Sequence, residues 1–300
     1  MNIVYIGPKY ISPNCDILVP DHHITVGSLQ SGGYLVTPLY TDIQDENSII
    51  EYCYSKSLKV AIFGGLNTST KVLACLNGLN IPCIHMWWDH TSPQNQALAE
   101  SLCPLVDLNV VMDMTTPATT AYPDKYLYMW YPLDRRLFFP GTERDIDVCF
   151  LGTVLPEFTD RIHYLSLLEK AGYKIHVRTG VYRDNPLTIE QYAEILRQSK
   201  IALNFTMLPQ YQCHQSKTRT TEILHCGALL LESSNEHTPK RYIEGKEYVS
   251  FNSFEDLTAK IDYYLFHEEE RSEIAANGCK KTHSNYNERA FWRMVFDKMM

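Results

Sequence analysis

Residues 216–231 constrain the fold more than any other stretch of this chain. A long polar loop containing Pro209 leads into Ser216-Lys217-Thr218-Arg219-Thr220-Thr221-Glu222-Ile223-Leu224-His225-Cys226, then Gly227, then the apolar run 228–231. This reads as a loop, a helix and a strand covered on both faces, as parallel sheets require. Ser216, Thr218 or Thr220 can cap the helix, because each side-chain oxygen accepts a first-turn N–H. Ile223 and Leu224 give it an apolar side, and Gly227 suits the left-handed position that ends it. The helix start offers free N–H groups and a positive dipole end beside Lys217 and Arg219, which is the chemistry of a phosphate site. Glu222 lies one turn further in, where a carboxylate suits a pair of ligand hydroxyls such as those of a ribose. The same residues also suit an ordinary amphipathic helix with a solvated basic start.

The alternation continues through the chain. Apolar runs at 2–6, 34–40, 59–63, 81–87, 108–112 and 126–130 read as strands, with helical spacing at 45–54 and 69–79. Beyond residue 145, strands are expected at 146–151, 174–178, 201–205, 228–231 and 247–251. Helices are expected there at 158–171, 189–199, 254–267, 269–279 and 286–300. Strands alternating with helices imply α/β architecture, with parallel sheets layered by helices on both faces. A length of 300 residues suits two domains of roughly 150 residues each. The break falls at the Pro-bounded segment 132–140, which carries the aromatic pair Phe138 and Phe139. The expected division is 1–135 and 136–285, with 286–300 as a terminal helix.

Composition excludes several functions. A net charge of −8 gives no general attraction to nucleic acid or to an anionic membrane. No apolar run approaches the roughly 20 residues that span a bilayer, and the first residues read as a strand rather than a signal peptide. Nine cysteines are scattered without a Cys-x-x-Cys, and Cys83, Cys149 and Cys226 fall in apolar runs. They read as reduced core thiols of a cytoplasmic protein. No G-x-G-x-x-G follows the first strand, so a dinucleotide fingerprint is absent.

The order Arg219…Glu222…Gly227 followed by an apolar strand resembles the donor-sugar segment of group 1 glycosyltransferases of the GT-B fold, and most of all the CgeB-type branch. Gln215 stands where many group 1 enzymes carry a second Glu. The segment 132–140 resembles the connector between the two halves of GT-B enzymes. The series from Asp147 to Arg289, through Arg161 and Ser199-Lys200-Ile201-Ala202-Leu203-Asn204, follows the same pattern. The resemblance implies two Rossmann-like domains with parallel sheets facing across a cleft. It implies an acceptor domain over 1–135, a nucleotide-sugar donor domain over 136–285, and a helix 286–300 packing back on the first domain through Phe291, Trp292 and Phe296. The implied activity is a hexosyltransferase-type transfer from a nucleotide sugar to an unidentified acceptor, which is a glycan, a protein or a small molecule. The donor is a substrate, and no cofactor or metal is implied. Asp145-x-Asp147 has the look of a metal-binding pair, but Asp147 belongs to the strand start of the GT-B pattern, a fold that needs no such motif. Two rivals are a nucleotide-sugar epimerase of the same fold and a non-catalytic sugar-nucleotide binding protein.

The donor candidates are Gly152, Thr153, Arg178, Asn204, Lys217, Thr218, Arg219, Thr220 and Glu222. Gly152 lets backbone approach a diphosphate, and Thr153 can donate to it. Asn204 ends a strand on the same sheet edge, and Arg178 with Tyr182 follows another, where a base can stack. No residue is assigned to a metal. In the first half, His85-Met86-Trp87-Trp88-Asp89-His90 ends a strand. Group 1 relatives place a His or Asp near this point, so Asp89 is the candidate base for an acceptor hydroxyl and His90 its rival. Trp87 and Trp88 suit either sugar stacking or the core.

Overall fold

The computed structural model describes residues 2–10, 18, 20, 22–66, 68–154, 156–179 and 187–299, the side chains of Arg178 and Thr179 apart. The chain forms two compact units, Met1–Asp134 with Asn287–Met300, and Arg135–Tyr286.

The first unit holds strands β1 (Ile3–Gly7), β2 (Val36–Tyr40), β3 (Val60–Phe63), β4 (Cys83–Trp87), β5 (Leu108–Val111) and β6 (Tyr126–Tyr128). They form one parallel sheet in the order β2-β1-β3-β4-β5-β6. β1, β3, β4 and β5 are buried along their whole length, the signature of a sheet covered on both faces. The helices are α1 (Ser28–Ser31), α2 (Glu46–Ser55), α3 (Thr70–Gly78) and α4 (Pro93–Leu102). Side chains of Asp45 and Ser69 accept first-turn N–H groups of α2 and α3. The sequence reading leaves α4 out. Its face carries Gln94, Asn95, Gln96 and Glu100, and only Ala99 and Leu102 are buried, so its apolar period is too thin to see.

The second unit holds β7 (Ile146–Gly152), β8 (Ile175–Thr179), β9 (Ser199–Asn204), a hairpin of β10 (Met207–Leu208) and β11 (Cys213–His214), β12 (Leu229–Ser233) and β13 (Val249–Phe251). Its parallel sheet runs β13-β12-β9-β7-β8. The winding direction therefore reverses between β7 and β9. The helices are α5 (Thr159–Lys170), α6 (Ile189–Gln198), α7 (Thr218–Cys226), α8 (Phe254–Phe266) and α9 (Glu268–Asn285). The core on one face gathers Phe150, Leu203, Phe205, Leu231, Phe251 and Ile261.

Two local expectations are corrected. The N-cap of α7 is Lys217, which makes no side-chain cap bond. Ser216 Oγ instead accepts from Arg241 Nη2 at 2.6 Å, and Thr220 Oγ1 donates to Glu232 Oε1 at 2.6 Å. The helix expected over 269–279 continues to Asn285. Gly278 marks a close approach rather than an end, because a Cβ there would stand 2.1 Å from the carbonyl of Glu247. Gly227 does end α7 in the left-handed region, at φ 69°.

The terminal helix α10 (Glu288–Met299) belongs to the first unit. Trp292 is fully buried there, and its Nε1 donates to Ser28 Oγ at 2.8 Å. Phe291 meets the ring of Trp130 edge-on at 5.9 Å. Among the described residues, no helix is long and apolar enough to cross a membrane.

Candidate functional site

In a doubly wound sheet, ligands bind beyond the carboxyl ends of the strands where the winding reverses. In the second unit that point lies between β7, ending at Gly152, and β9, ending at Asn204. Helix α7 brings Arg219 to both strand ends. Arg219 Nη1 donates to Asn204 Oδ1 at 2.8 Å, and a Cβ built on Gly152 would stand 2.2 Å from Arg219 Nη2. Gly152 is therefore required by the guanidinium that lies over it.

A second guanidinium, Arg161 on α5, is only 2% exposed. Its Nη1 donates to the carbonyl of Thr153 at 2.7 Å and its Nη2 to that of Phe205 at 3.4 Å. Both cations lie near the ring of Phe150, Arg219 at 5.2 Å and Arg161 at 5.8 Å. Burial, with the like charge of Arg219, pushes the Arg161 guanidinium down to about 9. Among the described residues, the buried Nε groups of both arginines have no hydrogen-bond partner. Two cations crowded at a strand end carry the charge that would suit an anion with several oxygens.

Asn204 and Thr220 are fully enclosed and serve this arrangement from behind. Asn204 Nδ2 donates to Glu232 Oε1 at 2.6 Å, and Asn235 Nδ2 donates to Glu232 Oε2 at 2.9 Å. Thr238 Oγ1 closes the carboxylate's other side. Asn204 thus holds Arg219, and Thr220 backs Asn204 by accepting from its Nδ2 at 3.1 Å. Lys217 Nζ donates to Gln215 Oε1. Thr218 opens α7 and is half-buried. Arg178 is placed by its backbone in β8, beside Leu151; Tyr182 lies outside the described residues.

Glu222 and Arg219 sit one turn apart on α7, and each has its own partner. Tyr192 on α6 donates its hydroxyl to Glu222 Oε2 at 2.6 Å. Burial pushes the Glu222 carboxyl up to about 6, against the pull of Tyr192 and Arg219. Burial also raises the Tyr192 phenol, reinforced by the Glu222 charge, so this phenol is the donor. Among the described residues only Tyr192 donates to this carboxyl, which leaves the capacity of Oε1 for a ligand hydroxyl.

Gly152→Ala tests the first contact. The atom it meets is the free end of a flexible side chain, so the fold can tolerate the methyl while Arg219 moves away. Affinity for a nucleoside diphosphate is expected to fall about tenfold, with the melting temperature little changed. Titration calorimetry and a thermal melt check both; an unchanged affinity would detach Gly152 from the site.

In the first unit, the turn after β4 separates the two candidate bases. Asp89 is exposed, and its carbonyl accepts from Asn95 Nδ2 at 2.6 Å. His90 is fully buried, with Nδ1 3.1 Å from the carbonyl of Thr115. A carbonyl only accepts, so Nδ1 carries the proton. That leaves Nε2 as the basic nitrogen, and it is enclosed, with the rings of Trp87 and Tyr126 packed edge-on against the imidazole. Burial lowers the pKa of His90, with Asp113 opposing. Trp87 is core, 1% exposed, with its Nε1 on Asn109 Oδ1 at 2.8 Å. Trp88 is half-buried and stacks on Tyr131 at 6.2 Å.

Tyr192 and Glu232 carry no signal of these roles in the sequence, and His85 is named there without a role. His85 is fully buried in the middle of β4, with Nε2 2.6 Å from Thr68 Oγ1, and burial lowers its pKa to about 3. Of the pair Asp145 and Asp147, the second is bound to Lys200 Nζ at 2.6 Å. Among the described residues no cluster of three His, Cys, Asp or Glu has the geometry to hold a metal ion.

A family model described as glycosyl transferase-like matches residues 141–295. No curated protein sequence matches the chain. Among solved structures, that of HepE from Anabaena in complex with UDP and glucose is similar, with a TM-score of 0.61 and 10% identity over 100% of this chain and 99% of that one. Sucrose-phosphate synthase from Thermosynechococcus elongatus is similar at a TM-score of 0.60 and 10% identity, covering 99% of each chain. A glycosyltransferase from Rickettsia africae is similar at 0.61 and 10% identity, over 99% of this chain and 97% of that one. These likenesses fix the architecture as GT-B, with two parallel-sheet α/β units.

Proposed function

Because the chain belongs to the glycosyl transferase-like family, we propose that it transfers a sugar from a nucleotide-sugar donor, held on its second unit, to an acceptor. The observation that carries the reading is the pair of guanidinium groups, Arg161 and Arg219, crowded at the carboxyl end of β7. As the bond between sugar C1 and the diphosphate oxygen breaks, negative charge grows on the leaving group. Fixed guanidinium donors stabilise that charge and need no metal ion to do so. Glu222, one turn further along α7 with Tyr192 on its Oε2, offers Oε1 to the ribose hydroxyls. UDP is the diphosphate of choice, since HepE is seen with UDP and glucose. The spacing Arg219…Glu222…Gly227 supports the CgeB-type branch within the family.

Of the two candidate bases, Asp89 takes the acceptor proton, because its carboxylate is exposed while the basic nitrogen of His90 is enclosed. The acceptor oxygen then bonds to C1 as the diphosphate departs. The buried thiols of Cys53, Cys83, Cys103, Cys149, Cys226 and Cys279 fit a cytoplasmic protein.

The test is to incubate the protein with UDP-glucose, with and without a panel of glycan, peptide and small-molecule acceptors, in EDTA. Acceptor-dependent release of UDP that persists in EDTA is expected. Asp89→Asn should lower kcat by about 10²–10⁴-fold with UDP affinity unchanged. Conversion of UDP-glucose alone to an isomer would favour an epimerase. Activity that is lost in EDTA and restored by Mn²⁺ would overturn the metal-free mechanism.

A further inference from the structure

Helix α7 carries Arg219 and Glu222 toward one edge of its sheet; a different feature lies at its other end. There, the segment before β7 and the side of α9 enclose a cavity of about 480 Å³. Arg144, Lys200, Arg271, Lys280 and His283 line it, with no Asp or Glu among the lining residues. The floor is made of small groups, including Gly227 just past the end of α7.

Two carboxylates reach these cations from outside the lining. Asp147 binds Lys200 at 2.6 Å, and Glu268 lies 3.3 Å from Arg271. Among the described residues no carboxylate pairs with Arg144 or Lys280. Arg144 spends its donors on three carbonyls, those of Arg197 at 3.0 Å, Ser199 at 2.6 Å and Cys226 at 2.9 Å. Those contacts place the guanidinium at the ends of α6 and α7 but leave its full charge without an anion. On a chain of net charge −8, a recess that gathers four permanent cations is a local inversion of sign. Such a concave, one-signed surface concentrates ions of the opposite charge.

We propose that this cavity binds a small multivalent phosphate, as a site separate from the donor site at the other end of α7. The volume suits a chain of a few phosphate groups. The recess opens to solvent, so a free anion can enter it. Lys280 is the strongest recognition group, since it is exposed and carries no ion pair among the described residues.

The experiment titrates inorganic tripolyphosphate into the full chain by calorimetry, alongside Lys280→Glu, Lys280→Gln and Arg219→Ala. Lys280 is exposed, so its variants should fold, and the two substitutions guard against a fault peculiar to one of them. The expected result is saturable binding that weakens about tenfold or more in Lys280→Glu, less in Lys280→Gln, and persists in Arg219→Ala. Binding that is abolished by Arg219→Ala and untouched by both Lys280 variants would assign every phosphate to the donor site and overturn the proposal. No heat at millimolar tripolyphosphate would also overturn it. A parallel arm uses phosphatidylglycerol vesicles. Lys280-dependent binding to vesicles without binding of tripolyphosphate would make the ligand a lipid surface and reject the small anion.

Discussion

Arg219→Ala is expected to weaken UDP binding by about 10- to 150-fold while uridine binding changes little. The factor is that of a charged hydrogen bond, roughly 1.5–3 kcal/mol. The guanidinium is held by Asn204 Oδ1 at 2.8 Å and lies over Gly152, so it enters binding already oriented. Its buried Nε has no acceptor among the described residues. Removing the side chain also strips Asn204 of its charged donor, and Asn204 is fully buried. Some loss of thermal stability should follow, and it is the discrimination between ligands that separates the two effects. A diphosphate site loses UDP selectively, whereas a distorted fold loses UDP and uridine alike. Arg219→Lys should fall between wild type and alanine, because an ammonium keeps the charge but not the planar fork. Calorimetric titration of the three proteins with both ligands decides it. Equal losses for UDP and uridine would return Arg219 to a structural role.

What could be read from the sequence was what local spacing encodes. The strand ending at Gly152, the helix from Thr218 and the stop at Gly227 each follow from a few neighbouring residues. The assignment of Arg219 and Glu222 to one helix face follows from their spacing of three. What could not be read depends on groups brought together from far along the chain. Tyr192 lies 30 residues from Glu222, on a helix whose period marks it as an ordinary inward aromatic. Glu232 ends an apolar run and looks like the exit of a strand. Only the fold surrounds it with Asn204, Thr220, Asn235 and Thr238. The same holds for two of the cap candidates, since only the fold brings Ser216 to Arg241 and Thr220 to Glu232. Asp89 and His90 are adjacent and chemically comparable in sequence. Burial alone separates them, and burial of a single turn residue has no periodic signal.

Glu222→Gln is expected to weaken UDP and uridine to a similar degree, by about 10- to 150-fold, because its proposed partner is the ribose they share. The same change should stabilise the free protein at alkaline pH. Burial raises the Glu222 carboxyl from 4.5 to about 6, so the folded chain holds this proton more tightly than the unfolded chain does. The group's contribution to stability is therefore full below pH 4.5 and is lost as the pH rises through about 6. By pH 8 the folded protein carries a buried carboxylate that costs on the order of 2 kcal/mol, since each tenfold gain in proton affinity on folding corresponds to about 1.4 kcal/mol. Glutamine keeps an oxygen for the Tyr192 hydroxyl and never ionises, so it escapes that cost. Melts at pH 5 and pH 8 should show the variant gaining several degrees over wild type at pH 8, on the usual scale of about 2–4 °C per kcal/mol. Near pH 5 the gap should shrink, since the wild-type carboxyl is then largely protonated in the folded state. A residue that stabilises by being removed, and weakens the ligand when it is, has been kept for binding rather than for the fold. If the stability gap is the same at both pH values, the carboxyl is not the buried, proton-retaining group described. If UDP and uridine bind the variant as they bind wild type, the ribose contact is absent and α7 contributes only its arginine.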